Sequence, residues 1–77
     1  MAISVKFFAS LRDTVGVTED TINAKDVTCA LDVWKKSSRG SEIPANIIVA
    51  VNMQNVDVDY LVKDGDKVAF FPPVTGG

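Results

Sequence analysis

Thr28-Cys29-Ala30-Leu31-Asp32-Val33-Trp34-Lys35-Lys36-Ser37-Ser38-Arg39 is the clearest helix in the chain, and its place among strand-like segments decides the fold class. Thr28 is the expected N-cap, with a hydroxyl able to accept from an unpaired first-turn N–H. Ala30, Leu31 and Trp34 share one face, with Val27 just ahead of them. Lys35, Lys36 and Arg39 crowd the last turn, where cations complement the helix dipole. Gly40 is the expected stop, and Pro44 opposes continuation.

Upstream, Ala2 to Phe8 sets Ile3, Val5 and Phe7 at alternate positions, the period of a half-buried strand. Phe8 breaks the alternation and points to the other face. Ala9 to Val15 reads as a short helix, with Leu11 and Val15 one turn apart and Gly16 as a left-handed cap. Glu19 to Ala24 reads as an edge strand around Thr21 and Ile22. Downstream, Ile47 to Asn52 is an apolar run suited to a central strand buried on both faces. A polar turn and the alternation Val56, Val58 follow. Asp64-Gly65-Asp66 is a turn signal, Lys67 to Phe71 the last strand, and Pro72-Pro73 its end. This order describes an α+β fold, a mixed sheet packed on one main helix plus a short helix. First and last strands adjacent in mid-sheet would give the ubiquitin-like β-grasp, one topology among those the pattern allows.

Seventy-seven residues make a single domain over residues 1–77 the expectation, with residues 72–77 as an extended tail. The net charge of −2 argues against a nucleic-acid partner, which normally meets a basic patch. No apolar run approaches the ~20 residues of a membrane span, and the N-terminus lacks a signal-peptide pattern. One Cys closes no internal disulfide. The expectation is a soluble cytoplasmic protein without a membrane partner. The absence of His removes imidazole bases and His metal sites. Cys29 reads as a small core or half-buried residue and Trp34 as core. Asp57, Asp59, Asp64 and Asp66 lack calcium-loop spacing and read as turn residues, so no metal site is expected. Lys35, Lys36 and Arg39 read as a solvated helix end. A binding or carrier module fits better than a self-contained enzyme.

The most unusual segment is Phe70-Phe71-Pro72-Pro73-Val74-Thr75-Gly76-Gly77. Each proline fixes φ and lacks an N–H, so the stem favours an extended path leaving the sheet. At ~3.3 Å per residue, the segment beyond Phe71 could reach about 20 Å. Two glycines lack Cβ atoms, so a narrow channel could admit their backbone. The terminal carboxylate is a poor electrophile until it becomes a mixed anhydride. The pattern therefore describes a chemical handle for another enzyme; a frayed end without function is the plain alternative.

The chain resembles the ubiquitin-like sulfur carriers, specifically the small sulfur-carrying subunits of molybdopterin synthase. The resemblance runs through Lys6-Phe7-Phe8-Ala9 with Leu11-Arg12 and Val15-Gly16, through Ala50-Val51-Asn52, and through Asp64-Gly65-Asp66-Lys67-Val68-Ala69 into the tail. Thiamine-pathway carriers share Gly-Gly but usually not the Phe-Phe-Pro-Pro-Val-Thr stem. The resemblance implies a β-grasp fold and a cycle centred on Gly77. An E1-like adenylyltransferase uses ATP to form its acyl-adenylate, and a sulfur donor system leaves a thiocarboxylate. The large synthase subunit then receives the tail (Pro72, Pro73, Val74, Thr75 and Gly76), and sulfur passes to a pterin precursor to form the dithiolene. It also implies a heterotetramer of two large and two small subunits, a pocket on the large subunit, and no cofactor held by this chain. Phe8 and Phe71 match partner-interface positions. Met53, Gln54 and Asn55 stand where the family commonly has an apolar residue. A carrier for thiamine synthesis or tRNA thiolation, a ubiquitin-like modifier and a passive interaction domain are the competing readings.

Overall fold

Alternation at the N-terminus becomes strand β1 (Ala2–Phe7), with Ile3, Val5 and Phe7 buried and Ala2, Ser4 and Lys6 exposed. The computed structural model describes residues 2–39, 42–43 and 45–73. Helix α1 (Leu11–Val15) starts later than the pattern predicts, because Ala9 has a φ of 53° and cannot belong to a right-handed helix. It ends as expected: Gly16 takes φ 90°, and its N–H donates to the Arg12 carbonyl at 2.8 Å. Strand β2 (Glu19–Asn23) lies at the sheet edge, burying Ile22 alone. A 3₁₀ turn over Ala24–Asp26 follows, with Asn23 Oδ1 accepting the Lys25 N–H at 3.0 Å.

Helix α2 (Ala30–Ser37) is shorter than the predicted span, and Cys29 rather than Thr28 holds the cap position. The returning chain accounts for this. The Ala30 N–H donates to the Tyr60 carbonyl at 3.0 Å and the Leu31 N–H to the Val58 carbonyl at 2.8 Å. Asp32 Oδ2 accepts from the Thr28 and Cys29 N–H groups at 3.0 and 3.3 Å. Unpaired donors of a helix start are thus served without the Thr28 hydroxyl. The buried face is Ala30, Val33, Trp34 and Ser37, so Val33 joins the core and Leu31 is only half-buried. The expected stops Gly40 and Pro44 lie outside the described residues; Ser38 caps the helix through its N–H to the Trp34 carbonyl at 2.8 Å.

Strands β3 (Ile48–Val51), β4 (Gln54–Val56) and β5 (Lys67–Phe71) complete a sheet of order β2-β1-β5-β3-β4. Strand β1 runs parallel to β5, with Phe7 beside Phe70, and the other pairings are antiparallel. First and last strands therefore meet in mid-sheet, the β-grasp arrangement. Strand β3 is interior and buried on both faces, with Val49 and Val51 on one side and Ala50 on the other. Trp34 seals the core: its ring meets Phe7 and Phe70 edge-on, at centroid distances of 5.7 and 5.2 Å. Truncating any of these three to alanine would cost about 3–5 kcal/mol.

Candidate functional site

The face of the sheet turned away from α2 holds the candidate site. Because strand side chains alternate, Phe8 leaves the core side that Phe7 occupies, and Phe71 leaves the side of Phe70. The structure brings these two predicted contacts together: their rings stack at a centroid distance of 4.6 Å and an interplanar angle of 10°. Phe7 and Phe70 are fully buried, whereas Phe8 is 38% exposed and Phe71 half-buried. One ring of each Phe-Phe pair is therefore core and the other surface, as the alternation predicts.

The stacked pair borders an open groove of about 460 Å³. Its floor includes Ala50 and Ala69, register partners on β3 and β5. Ala69 also pairs with Lys6, and Ser4 with Lys67, so both lysines reach the same face. The opposite rim is Met53, 98% exposed. Asn52 and Met53 have φ values of 52° and 71°, the paired left-handed conformations of a two-residue hairpin turn. In that turn Met53 lies on the groove, and Asn55 pairs with Ala50 one strand away.

Pro72 and Pro73 follow Phe71 directly and are half-buried. Val74, Thr75, Gly76 and Gly77 lie outside the described residues. Cys29 is half-buried at the α2 cap position. Lys36 makes an exposed ion pair with Asp26 at 3.4 Å. Asp66 is 4% exposed and works in its turn, accepting the Lys63 N–H at 2.9 Å. Among the described residues, no cluster of three His, Cys, Asp or Glu side chains is placed to hold a metal ion.

Sequence reasoning missed Lys6, Lys67, Ala50, Ala69 and Met53 as groove residues. Part of the signal was present: Lys6 shares strand parity with Phe8, and Lys67 and Ala69 share it with Phe71. Parity does not say which strands become neighbours, so the grouping needed the topology.

Comparison with known proteins places this geometry in context. The ThiS family model matches residues 5–77. The molybdopterin synthase sulfur carrier subunit of Escherichia coli is 34% identical, over 97% of this chain and 99% of its own length. Among solved structures, a putative molybdopterin converting factor, subunit 1, from Pyrococcus furiosus superposes with a TM-score of 0.74. It is 29% identical, over 96% of this chain and 99% of that one. The small archaeal modifier protein 1 of Methanosarcina acetivorans reaches a TM-score of 0.76 at 24% identity, over 99% of this chain and 96% of that one. This last likeness is one of fold.

Proposed function

Because the chain belongs to the ThiS family, we propose that it is the sulfur carrier subunit of a molybdopterin synthase, a single domain whose reactive group is the carboxylate of Gly77. The observation that carries this reading is the partly exposed Phe8–Phe71 stack at the root of the Pro72-Pro73 stem. An apolar platform beside an outgoing tail is what a carrier needs to dock while its end enters another protein's pocket. The full-length likeness to the E. coli subunit supports the same reading.

In the proposed cycle, the Gly77 carboxylate oxygen attacks the α-phosphorus of ATP on an E1-like adenylyltransferase, and pyrophosphate leaves. Sulfide-level sulfur (hydrosulfide) released by the donor system then attacks the acyl carbon, AMP departs with the bonding electrons, and the S–H proton is lost. The result is a thiocarboxylate, a better nucleophile than the carboxylate it replaces. Pro72, Pro73, Val74, Thr75 and Gly76 carry it into the large subunit, where its sulfur displaces an oxygen substituent on the pterin precursor and water then cleaves the acyl C–S bond, returning the Gly77 carboxylate. Basic and acidic catalysts belong to the partners, and this chain holds no cofactor of its own. The reading places two copies with two large subunits in the cytoplasm. No helix among the described residues is long and apolar enough to cross a membrane.

Mass spectrometry of the C-terminal peptide, after incubation with ATP, the E1-like partner and a sulfur donor, tests the reading. Met1 and Met53 can oxidise with nearly the mass change of oxygen-to-sulfur exchange, so the shift is localised to Gly77 and confirmed by alkylation. A thiocarboxylate at Gly77, followed by dithiolene formation with the large subunit, is expected. An unmodified Gly77 beside a charged control carrier overturns the reading, and isopeptide conjugates would point to a modifier instead.

A further inference from the structure

Both backbone groups of Phe8 are engaged at the point where β1 ends. The parallel ladder between β1 and β5 closes at Phe7 beside Phe70. Phe8 carries the contact one step further: its N–H donates to the Phe70 carbonyl at 3.1 Å, and its own carbonyl accepts the Leu11 N–H at 3.1 Å. Leu11 is buried, so the start of α1 anchors that carbonyl. Between them Ala9 takes a φ of 53°, disfavoured for a residue with a Cβ, and turns the chain off the sheet. Held in this way, the Phe8 ring lies almost flat against that of Phe71, at 4.6 Å and 10°.

Phe71 is the last ladder residue before the prolines, and its other side is paired with Ile48 of β3. Beyond it the ladder cannot continue, because neither Pro72 nor Pro73 has an N–H. A residue before proline is confined to extended conformations, which applies to Phe71 and again to Pro72. Phe71, Pro72 and Pro73 therefore form a short stiff stem whose direction is decided at Phe71, between Ile48 and the Phe8 ring. An extended chain at ~3.3 Å per residue reaches about 20 Å from Phe71 to Gly77, and over that length a tilt of about 3° moves a point by about 1 Å. A displacement of about 1 Å at a reacting atom can cost about a hundredfold in rate.

We infer that Phe8 is a positioning residue for the chemistry at Gly77: stacked on Phe71, it sets the direction in which the proline stem leaves the sheet. This rests on the carrier reading above and adds a role internal to the chain, one that needs no contact between Phe8 and a partner. Preorganisation of the stem lowers the ordering cost of every step that takes up the tail. The effect is therefore common to the adenylating enzyme and the large subunit, and it is read in the rate of the bound complex rather than in its affinity.

Single-turnover kinetics of the full-length chain, each at saturating partner, test the inference. One reaction is pyrophosphate release on the adenylyltransferase with ATP; the other is sulfur transfer from the thiocarboxylated chain on the large subunit. Phe8→Leu keeps an apolar side chain and removes the ring, whereas Phe8→Tyr keeps the ring; both are assayed below their melting temperatures. Phe8→Leu should lower both first-order rates about tenfold, independently of any change in Kd, and Phe8→Tyr should recover most of that loss. A parent chain that is not adenylated overturns the carrier reading and this inference with it. Parent rates in Phe8→Leu at saturation, with only Kd raised, make the ring a docking contact and overturn the inference alone. So does a loss confined to one partner, or a loss that Phe8→Tyr does not recover.

Discussion

Asn52 and Asp66, on separate turns of the sheet, are joined by a hydrogen bond of 2.9 Å from Asn52 Nδ2 to Asp66 Oδ1. The other carboxylate oxygen accepts the Lys63 N–H at 2.9 Å, and the Asp66 carbonyl accepts the Ser4 N–H at 3.1 Å. With the two bonds between Asn52 and the Lys67 backbone, this ties the exit of β3, the entry of β5 and the middle of β1 together. The rim of the groove is thus supported by polar groups rather than by core packing.

Replacing Asn52 separates the two demands made on that residue. Asn52→Ala removes the side-chain hydrogen bonds and strains a backbone at φ 52°, where alanine is disfavoured. It should cost about 2–3 kcal/mol in urea unfolding, since the nearly buried Asp66 loses a partner. Asn52→Gly keeps the conformation at no steric cost and loses only the bonds, so about 1–2 kcal/mol is expected. Equal losses in the two variants would show that backbone strain contributes nothing at this turn.

Phe7 and Phe8 are neighbours with opposite roles, and alanine substitution should split stability from docking. Phe7→Ala opens a cavity beneath Trp34 and Phe70 and should cost about 3–5 kcal/mol. Phe8→Ala removes an exposed ring and one stacked contact, so about 1 kcal/mol is expected. Affinity for the large subunit should nonetheless fall about tenfold or more in Phe8→Ala, as for an aromatic anchor. A Phe8→Ala variant that binds like the parent would remove the stack from the docking surface.

Much of the fold could be read from local pattern because the relevant physics was local. Alternation through Ile3, Val5 and Phe7 marked β1, Gly16 marked the end of α1, and Asp64-Gly65-Asp66 marked the turn where Gly65 takes φ 88°. The cap of α2 was misread because its partners, Val58 and Tyr60, arrive from far along the chain. Val33 was passed over because the face was drawn through Leu31. The site divides in the same way. Adjacent Phe pairs announce one inward and one outward ring; alternation turned Phe8 outward, whereas Phe71 was singled out by the family resemblance. The groove needed β5 placed between β1 and β3, a nonlocal fact that no spacing within one strand encodes.

Ser37 offers a stabilising change. It is 2% exposed on the buried face of α2, and its hydroxyl oxygen has no hydrogen-bond partner among the described residues. Burying an unpaired hydroxyl is unfavourable, and serine is a poorer helix former than alanine. Ser37→Ala removes one atom and should raise stability by about 1 kcal/mol. For a domain of this size that is a melting-temperature increase of roughly 4–8 °C, readable by circular dichroism. A lower melting temperature would mean that the hydroxyl has a partner or fills space that a methyl group leaves empty.

Length at the C-terminus is the sharpest demand of the carrier reading. The buried aromatic cluster and all five strands lie within residues 2–73, so changes at Gly77 should leave the melting temperature unaltered. Deleting Gly77 withdraws the carboxylate by one residue, about 3.3–3.6 Å, and adding a residue after it advances the carboxylate by as much. Misplacing a reacting atom by about 1 Å can already cost a hundredfold in rate, so either variant should lose adenylation and synthase turnover by at least that factor. Substituting Gly77 by Ala preserves the length and adds only a Cβ. It should retain more activity than either length variant if reach governs, and as little if the channel admits glycine alone. Synthase activity retained by both length variants would exclude Gly77 as the point of sulfur attachment.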